Sequence, residues 1–305
     1  MSTIGTDSVV LQPAVIHDRR RALLLANLAS ALERQRRGMD PAAARGYGRA
    51  LPPLVCDSGS GIGPWTGMKA TLLRACYGPP PADESRVCAM GAATHVLLLE
   101  DDAEPGEHAL EASITIAAYR PCDAVYLSAT REQAGGEMDA AAETGLAYAF
   151  VHERVIGSVA VILPIPLARR FLRRMGDPSA EREFLDTFRH GAETAEAGDA
   201  RLWWFLTNMA GQCPVVTATS IFGHGAWDPG QSLVARDGMQ GPRRCYRPAA
   251  GVRGQSPPLR GSVRLDRQRS AVEVDWSSGA DLDSRTALDR PRRASKGAPE
   301  HVLAE

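Results

Sequence analysis

The chain has 305 residues, of which 44% are hydrophobic and 23% charged, and its formal net charge is −1. This composition fits one large or two small globular domains that need neither a disulfide nor a metal in order to fold. Six cysteines occur without a CxxC pair, which excludes the usual structural zinc pattern and favours reduced thiols. No run approaches the roughly 18 uninterrupted apolar residues of a membrane span, so we expect a soluble, cytoplasmic protein with no membrane partner.

Apolar periodicity predicts strands and helices in alternation up to about residue 224, which indicates an α/β sandwich with a mostly parallel sheet. The predicted strands are 9–16, 50–56, 94–99, 123–129, 146–155, 158–165 and 214–219. Apolar positions at helical spacing predict helices through Leu24–Leu32, Trp65–Cys76, Leu110–Ala117 and Phe171–Met175, and another that opens at Gly198. The polar, glycine-containing run 130–145 is long for a connection and is predicted to be a mobile loop over a site.

The most unusual stretch follows the third predicted strand, where Glu100, Asp101 and Asp102 come directly after an apolar run. Three adjacent carboxylates repel one another unless a cation lies between them, and open α/β sheets bind ligands at the carboxyl ends of their strands. Carboxylate oxygens suit Mg²⁺ or Mn²⁺. The alternative is an acidic turn that faces water.

A basic segment follows the periodic part of the chain. Residues 228–305 are rich in Arg, Gly, Pro and Ser, which predicts an irregular extension, largely disordered or ordered only by a partner, beside a domain that spans 1–227. Between Arg236 and Arg269 nine arginines oppose two aspartates, so this segment carries a charge of +7. The extension is either a handle for a polyanion or an arginine-rich tail without a partner.

Taken in order, these pieces resemble a glycosyltransferase of the GT-A fold, and look closest to the compact forms encoded by bacteriophages. The most specific element is Leu99-Glu100-Asp101-Asp102, which is similar to the DxD-type motif with which that family holds a divalent cation against the diphosphate of a sugar nucleotide. The resemblance implies a three-layer α/β/α sandwich. The other elements that support the resemblance are Gly63-Pro64-Trp65, the strand Gly157–Pro164, the helix that begins with the acid Asp199, and His224 at a strand end.

The chain departs from the family pattern at two places. The late helix begins Gly198-Asp199 where such enzymes often have two consecutive acids, and the segment Ser220–His224 lacks the Asp that commonly precedes the histidine. Both departures concern the catalytic base and the third metal contact, whereas the acids of the diphosphate site are present.

The resemblance implies bound Mn²⁺ or Mg²⁺ and a nucleotide-sugar donor, with a UDP-sugar as the first expectation. Asp102 is expected to coordinate the metal, with Asp101 second and His224 completing the sphere. Asp199 is expected to deprotonate the acceptor hydroxyl, although it could instead cap its helix. The residues expected to bind the donor are Arg19, Arg20, Asp57, Lys69, Glu100 and Asp101.

The acceptor is predicted from the basic segment. Arginines laid along phosphates release counterions, which points to a hydroxymethylated pyrimidine base in phage DNA, in the host cytoplasm if the chain is phage-encoded. One alternative is the same fold acting on a cell-envelope glycan or a small metabolite, and a second is a non-catalytic nucleic-acid-binding protein. The oligomeric state stays open. The residues expected to contact DNA are Arg243, Arg244, Tyr246 and Arg247.

Overall fold

A computed structural model of the protein describes ten stretches of the chain. They are residues 9–17, 21–39, 48–57, 64–78, 93–151, 156–188, 197–224, 245–252, 254–255 and 274–278. The helices are α1 (Ala22–Gly38), α2 (Pro64–Tyr77), α3 (Ala109–Tyr119), α4 (Arg131–Glu143), α5 (Ile165–Met175), α6 (Pro178–Thr187) and α7 (Gly198–Trp204), which continues into a π-helical turn over Phe205–Met209. Within these stretches no helix is long and apolar enough to cross a membrane.

The strands form one large sheet and two small pairings. They are β1 (Val9–His17), β2 (Gly48–Ala50), β3 (Leu54–Asp57), β4 (His95–Glu100), β5 (Ala103–Pro105), β6 (Val125–Tyr126), β7 (Tyr148–Phe150), β8 (Ala160–Pro164), β9 (Val215–Thr217), β10 (Phe222–His224), β11 (Cys245–Tyr246) and β12 (Gly254–Gln255). The eight-stranded sheet has the order β2-β1-β4-β8-β6-β9-β7, and β3 also pairs with β1. Strands β2, β3 and β4 run parallel to β1, as β9 does to β6, whereas β8 and β7 are antiparallel to their neighbours.

Helices cover both faces of this sheet, because its central strand is apolar on both sides. Val96 and Leu98 of β4 point into a core with α2, α5 and α7, whereas Leu97 and Leu99 point into a second core with α1 and α3. This division follows the two-residue period of a strand, and a strand buried on both faces is a continuous apolar run. The predicted α/β sandwich with a mostly parallel central sheet is therefore confirmed.

The run predicted as a mobile loop forms α4 instead. Thr130 and Gln133 make a capping box at its start, in which the backbone N–H of Thr130 donates to Gln133 Oε1 at 3.0 Å. A Thr-x-x-Gln sequence satisfies the free donors of a first helical turn, and this signal offsets Gly135 and Gly136. The loop prediction was wrong because it rested on the polar, glycine-containing composition of the run, which does not exclude a capped helix.

Two segments of the predicted irregular extension pack against the body, which corrects that prediction for these residues. Cys245, Tyr246, Ala249 and Val252 are buried, and the backbone N–H of Tyr246 donates to the carbonyl of Ala129 at 2.8 Å. Trp276 is buried too, with its ring centroid 5.9 Å from that of Tyr148. Scattered apolar residues of this kind have no period, so the sequence pattern did not indicate that they reach the core.

We expect Trp276→Ala to lower the free energy of unfolding by about 3–5 kcal/mol, the usual cost of truncating a buried tryptophan. The Tyr148 hydroxyl also donates to the carbonyl of Trp276 at 3.0 Å, so the segment is held by more than apolar contact. Urea denaturation followed by circular dichroism measures the loss. Leu23→Ala is the control, because Leu23 is 72% exposed and its truncation should change stability by less than about 0.5 kcal/mol. Equal stability of the two variants would contradict this packing.

Candidate active site

The parallel strands bring the acidic cluster and its neighbours to one edge of the sheet. Register places Ile16 opposite Glu100 and His17 opposite Asp57, so β1, β3 and β4 end side by side. Carboxyl ends of parallel strands meet at the same edge, which is where open α/β sheets bind their ligands. The turn Asp101-Asp102 follows β4 at this edge. Side chains from several strands thus surround the acids.

Two basic side chains contact the aspartates, and sequence reasoning overlooked both. Arg21 Nη1 donates to Asp101 Oδ1 at 2.8 Å and to Asp102 Oδ2 at 3.1 Å. His17 Nδ1 lies 3.2 Å from Asp101 Oδ2, and Asp101 is only 3% exposed. Arg21 is the third arginine of the run whose first two were predicted to bind the donor. The sequence does contain an indication of this role, because helices prefer a small polar or acidic residue at the N-cap and disfavour a cation such as Arg21 there.

His224 lies beside the same acids, on the short two-stranded ribbon that β5 and β10 form. Strand β10 pairs with β5 in antiparallel register, with His224 opposite Ala103, so the histidine returns beside the turn that follows β4. Its Nδ1 lies 3.5 Å from Asp102 Oδ2. Burial by itself would raise the pKa of Asp102, but the hydrogen bond and charge of His224, together with Arg21, hold that pKa below its usual value. Asp102 is therefore ionised at neutral pH.

Glu100 has a different environment from the two aspartates. Burial, reinforced by the charge of Asp102, raises its pKa to about 7, although the Ser158 hydroxyl donates to Glu100 Oε1 at 2.8 Å and favours the ionised form. A carboxyl group with such a pKa can donate as well as accept a hydrogen bond near neutral pH. The three consecutive acids therefore have different surroundings. Glu100 is the last residue of β4, whereas Asp101 and Asp102 lie in the turn that follows it.

A cleft opens beside Glu100 and His224 and encloses about 380 Å³, including its open mouth. Asp199 lies on its wall, and its charge contributes to the raised pKa of Glu100. The remaining lining residues are Ser128, Ala129, Thr130, Gln133, Gly157, Val159 and Cys245. The cleft therefore joins the acid cluster to the predicted base and to the start of α4.

Asp199 is held at the first turn of α7, where its Oδ1 accepts a hydrogen bond from the backbone N–H of Ala200 at 2.8 Å. The cap position belongs to Ala197, so Asp199 is not the N-cap that was considered as its alternative role. The glycine before it has a packing reason. A Cβ at Gly198 would lie 2.9 Å from Met68 Cε, so a larger residue at this position would require the Met68 side chain to shift.

The donor atoms at this edge fit a hard divalent cation. Asp102 Oδ1 is buried and accepts no hydrogen bond from a described residue, which is unusual for an ionised oxygen. Carboxylate and imidazole are ligands that Mn²⁺ accepts. Among the described residues, however, no three His, Cys, Asp or Glu side chains are gathered around one point. The protein would thus supply Asp102 and His224, and a bound ion would need further oxygens from a ligand or from water.

The other predicted donor residues stand apart from this group or lie outside the described residues. Asp57 ends β3 at the expected edge, but its side chain lies outside the described part of the chain. Lys69 is half-buried in the middle of α2 and makes no ion pair with the described acids. The predicted residues that lie outside the described stretches altogether are Arg19, Arg20, Arg243 and Arg244.

Tyr246 and Arg247, predicted to contact DNA, are engaged within the protein. The Tyr246 hydroxyl donates to Asp139 Oδ2 at 3.0 Å, and Tyr246 is 1% exposed. Arg247 Nη1 donates to Asp139 Oδ1 at 2.9 Å. This corrects the prediction for Tyr246, because a buried ring cannot stack on a base, whereas the DNA contact of Arg247 stays a prediction. Their role is to fasten residues 245–252 to α4.

Comparisons with known proteins do not establish the function of the chain. No protein-family model matches the chain, and no curated protein matches it in sequence. Among solved structures the chain is similar to mouse xyloside xylosyltransferase 1 in its apo form. The TM-score is 0.32 and the identity 10%, over 69% of this chain and 96% of that chain. A likeness at this level carries no argument about activity, so function must be argued from the site.

We expect Ser158→Ala to raise the pKa of Glu100 above about 7, by about one pH unit, since the variant removes a hydrogen bond to the ionised carboxylate. Glu100 would then be protonated over more of the neutral range. Carboxyl-carbon NMR of labelled glutamate, titrated against pH, measures the change. Ser179→Ala is the control, because its hydroxyl is exposed and bonds Asp177. An unchanged or lowered pKa in Ser158→Ala would contradict the hydrogen bond.

Proposed function

We propose that the protein is a metal-dependent glycosyltransferase that moves a sugar from a nucleotide-sugar donor to an acceptor hydroxyl. The observation that carries this proposal is the buried, ionised Asp102, whose Oδ1 accepts no hydrogen bond from a described residue and which lies beside His224, a residue that lines the same cleft as Asp199. A hard cation site and a carboxylate base on one cleft are the two groups that this transfer needs.

In this proposal Asp102 and His224 hold Mn²⁺ or Mg²⁺, and Arg21 bridges Asp101 and Asp102 only in the absence of the ion. When bound, the ion would act as a Lewis acid that neutralises charge on the departing nucleoside diphosphate. Glu100 faces the same cleft and is suited to hydrogen bond with hydroxyls of the donor, because near neutral pH it can donate or accept. The nucleotide is expected to be a uridine diphosphate.

Asp199 is proposed as the general base. A hydroxyl is a poor nucleophile until a positioned carboxylate takes its proton as the new glycosidic bond forms, and such assistance contributes about 10²–10⁴-fold. The Ala200 N–H holds Asp199 Oδ1 and so fixes the carboxylate at the start of α7. The proton would pass from the acceptor hydroxyl to the Asp199 carboxylate.

The acceptor is the less supported half of the proposal. A hydroxymethylated pyrimidine in DNA is favoured by the nine arginines between Arg236 and Arg269, of which Arg247 alone lies in the described stretches and pairs with Asp139. A cell-envelope glycan or a small metabolite is the alternative acceptor for the same site. A non-catalytic nucleic-acid-binding protein would make no use of the cleft. Incubating the enzyme with UDP- and GDP-sugars and Mn²⁺, with hydroxymethylated or unmodified DNA, distinguishes these possibilities by mass spectrometry of the nucleosides.

We expect Asp102→Asn to abolish Mn²⁺-dependent release of nucleoside diphosphate, because the variant removes a charged ligand of the ion. We expect Asp199→Asn to lower kcat of transfer by about 10²–10⁴-fold, with KM less affected, because the variant removes the general base. Nucleoside diphosphate release coupled to an optical assay measures both. Asp123→Asn is the matched control, since Asp123 pairs with Arg120 before β6, at the opposite edge of the sheet, and should keep full activity. Full activity in Asp102→Asn would overturn the proposed function.

A further inference from the structure

Arg21 stands where the local rules of helix stability disfavour it. It is the residue at the N-cap of α1, its side chain makes no cap hydrogen bond, and the first turn of that helix contains no acid. A cation at a helix N-terminus lies against the positive end of the macrodipole, and arginine is a poor N-cap. The position is tolerated because Asp101 and Asp102 lie opposite it. Arg21 is thus placed for the acids and not for the helix.

Its contacts make Arg21 a substitute for a cation at the acid pair. One nitrogen, Nη1, donates to Oδ1 of Asp101 at 2.8 Å and to Oδ2 of Asp102 at 3.1 Å, so a single positive group bridges both carboxylates. The Arg21 side chain is only 11% exposed and that of Asp101 is 4% exposed, so water screens this contact little. Arg21, at the start of α1, therefore occupies one carboxylate oxygen of each aspartate.

We propose that Arg21 competes with the divalent ion for Asp101 and Asp102, and that it moves to the diphosphate of the donor when the ion binds. This inference rests on the proposed function. The planar guanidinium is suited to phosphate as well as to carboxylate, because it presents parallel N–H groups to either.

Charge balance supports the exchange. Counted by themselves, Asp101, Asp102 and Arg21 carry one negative charge together. A divalent ion alone would turn that into one positive charge, and a diphosphate with one negative charge on each phosphate would restore the original value. Ion and diphosphate together therefore replace the existing bridge without a net change in buried charge, whereas either one alone does not. Donor and ion are expected to bind cooperatively for this reason.

The test measures binding to the full-length protein and not turnover, and uses Arg21→Met, which keeps an unbranched apolar stem but removes the guanidinium and its charge. Mn²⁺ affinity without a diphosphate is read from the electron paramagnetic resonance of free Mn²⁺. Affinity for inorganic pyrophosphate in saturating MnCl₂ is read by calorimetry. Arg34→Met is the matched control, because Arg34 is exposed on the same helix. Arg21→Lys keeps the charge without the fork and serves as the second variant.

For Arg21→Met we expect Mn²⁺ to bind about tenfold more tightly and pyrophosphate about tenfold or more weakly, with Arg34→Met like the wild type and Arg21→Lys intermediate. Loss of a mere structural anchor would weaken both ligands or neither, and either result overturns the exchange. Normal pyrophosphate affinity in Arg21→Met, or none in the wild type, overturns the phosphate role. If the wild type binds no Mn²⁺ under any of these conditions, the metal-dependent function fails, and the exchange fails with it.

Discussion

One constraint governs the structure at the carboxyl edge of the large sheet. Three consecutive carboxyl groups, Glu100, Asp101 and Asp102, lie at the end of the buried strand β4. Strand β4 is apolar on both faces, so Glu100, Asp101 and Asp102 emerge from the core and not from an exposed turn. Their mutual repulsion must be offset locally, because little water is present to do so. Arg21, His17 and His224 supply positive or potentially positive groups, each from a different element, and the raised pKa of Glu100 relieves part of the remaining repulsion.

Strand pairing gathers these groups from distant parts of the sequence. Parallel pairing of β1, β3 and β4 brings three strand ends together, and the β5–β10 ribbon returns His224 to the turn after β4. Packing of α7 on α2 through Gly198 and Met68 sets Asp199 on the far wall of the cleft. Residues 245–252 then close that wall through Cys245, fastened by Asp139. A segment that looks like a tail in the sequence is thus part of the site.

Sequence periodicity was sufficient for the layered fold, because β1, β4 and β8 are apolar runs and the faces of α1, α2 and α5 repeat at helical spacing. The roles of the acid cluster and of Asp199 were predicted from local sequence motifs and stay predictions. Sequence reasoning missed Arg21 and His17, since their role depends on register between strands, and it missed the burial of Tyr246 and Trp276, which are isolated apolar residues without a period. Short strands such as β6 and β9 were predicted too long, because apolar residues continue past the point where pairing ends.

The central claim is that Asp102 holds a divalent ion against a diphosphate at the carboxyl edge of this sheet. The most direct measurement is an anomalous difference map, recorded at the manganese edge, from crystals grown with MnCl₂ and UDP. We expect a single strong peak bonded to the Asp102 carboxylate, with the diphosphate on its other side. A diphosphate bound elsewhere, or a map without a peak at Asp102 in crystals that contain the nucleotide, would contradict it.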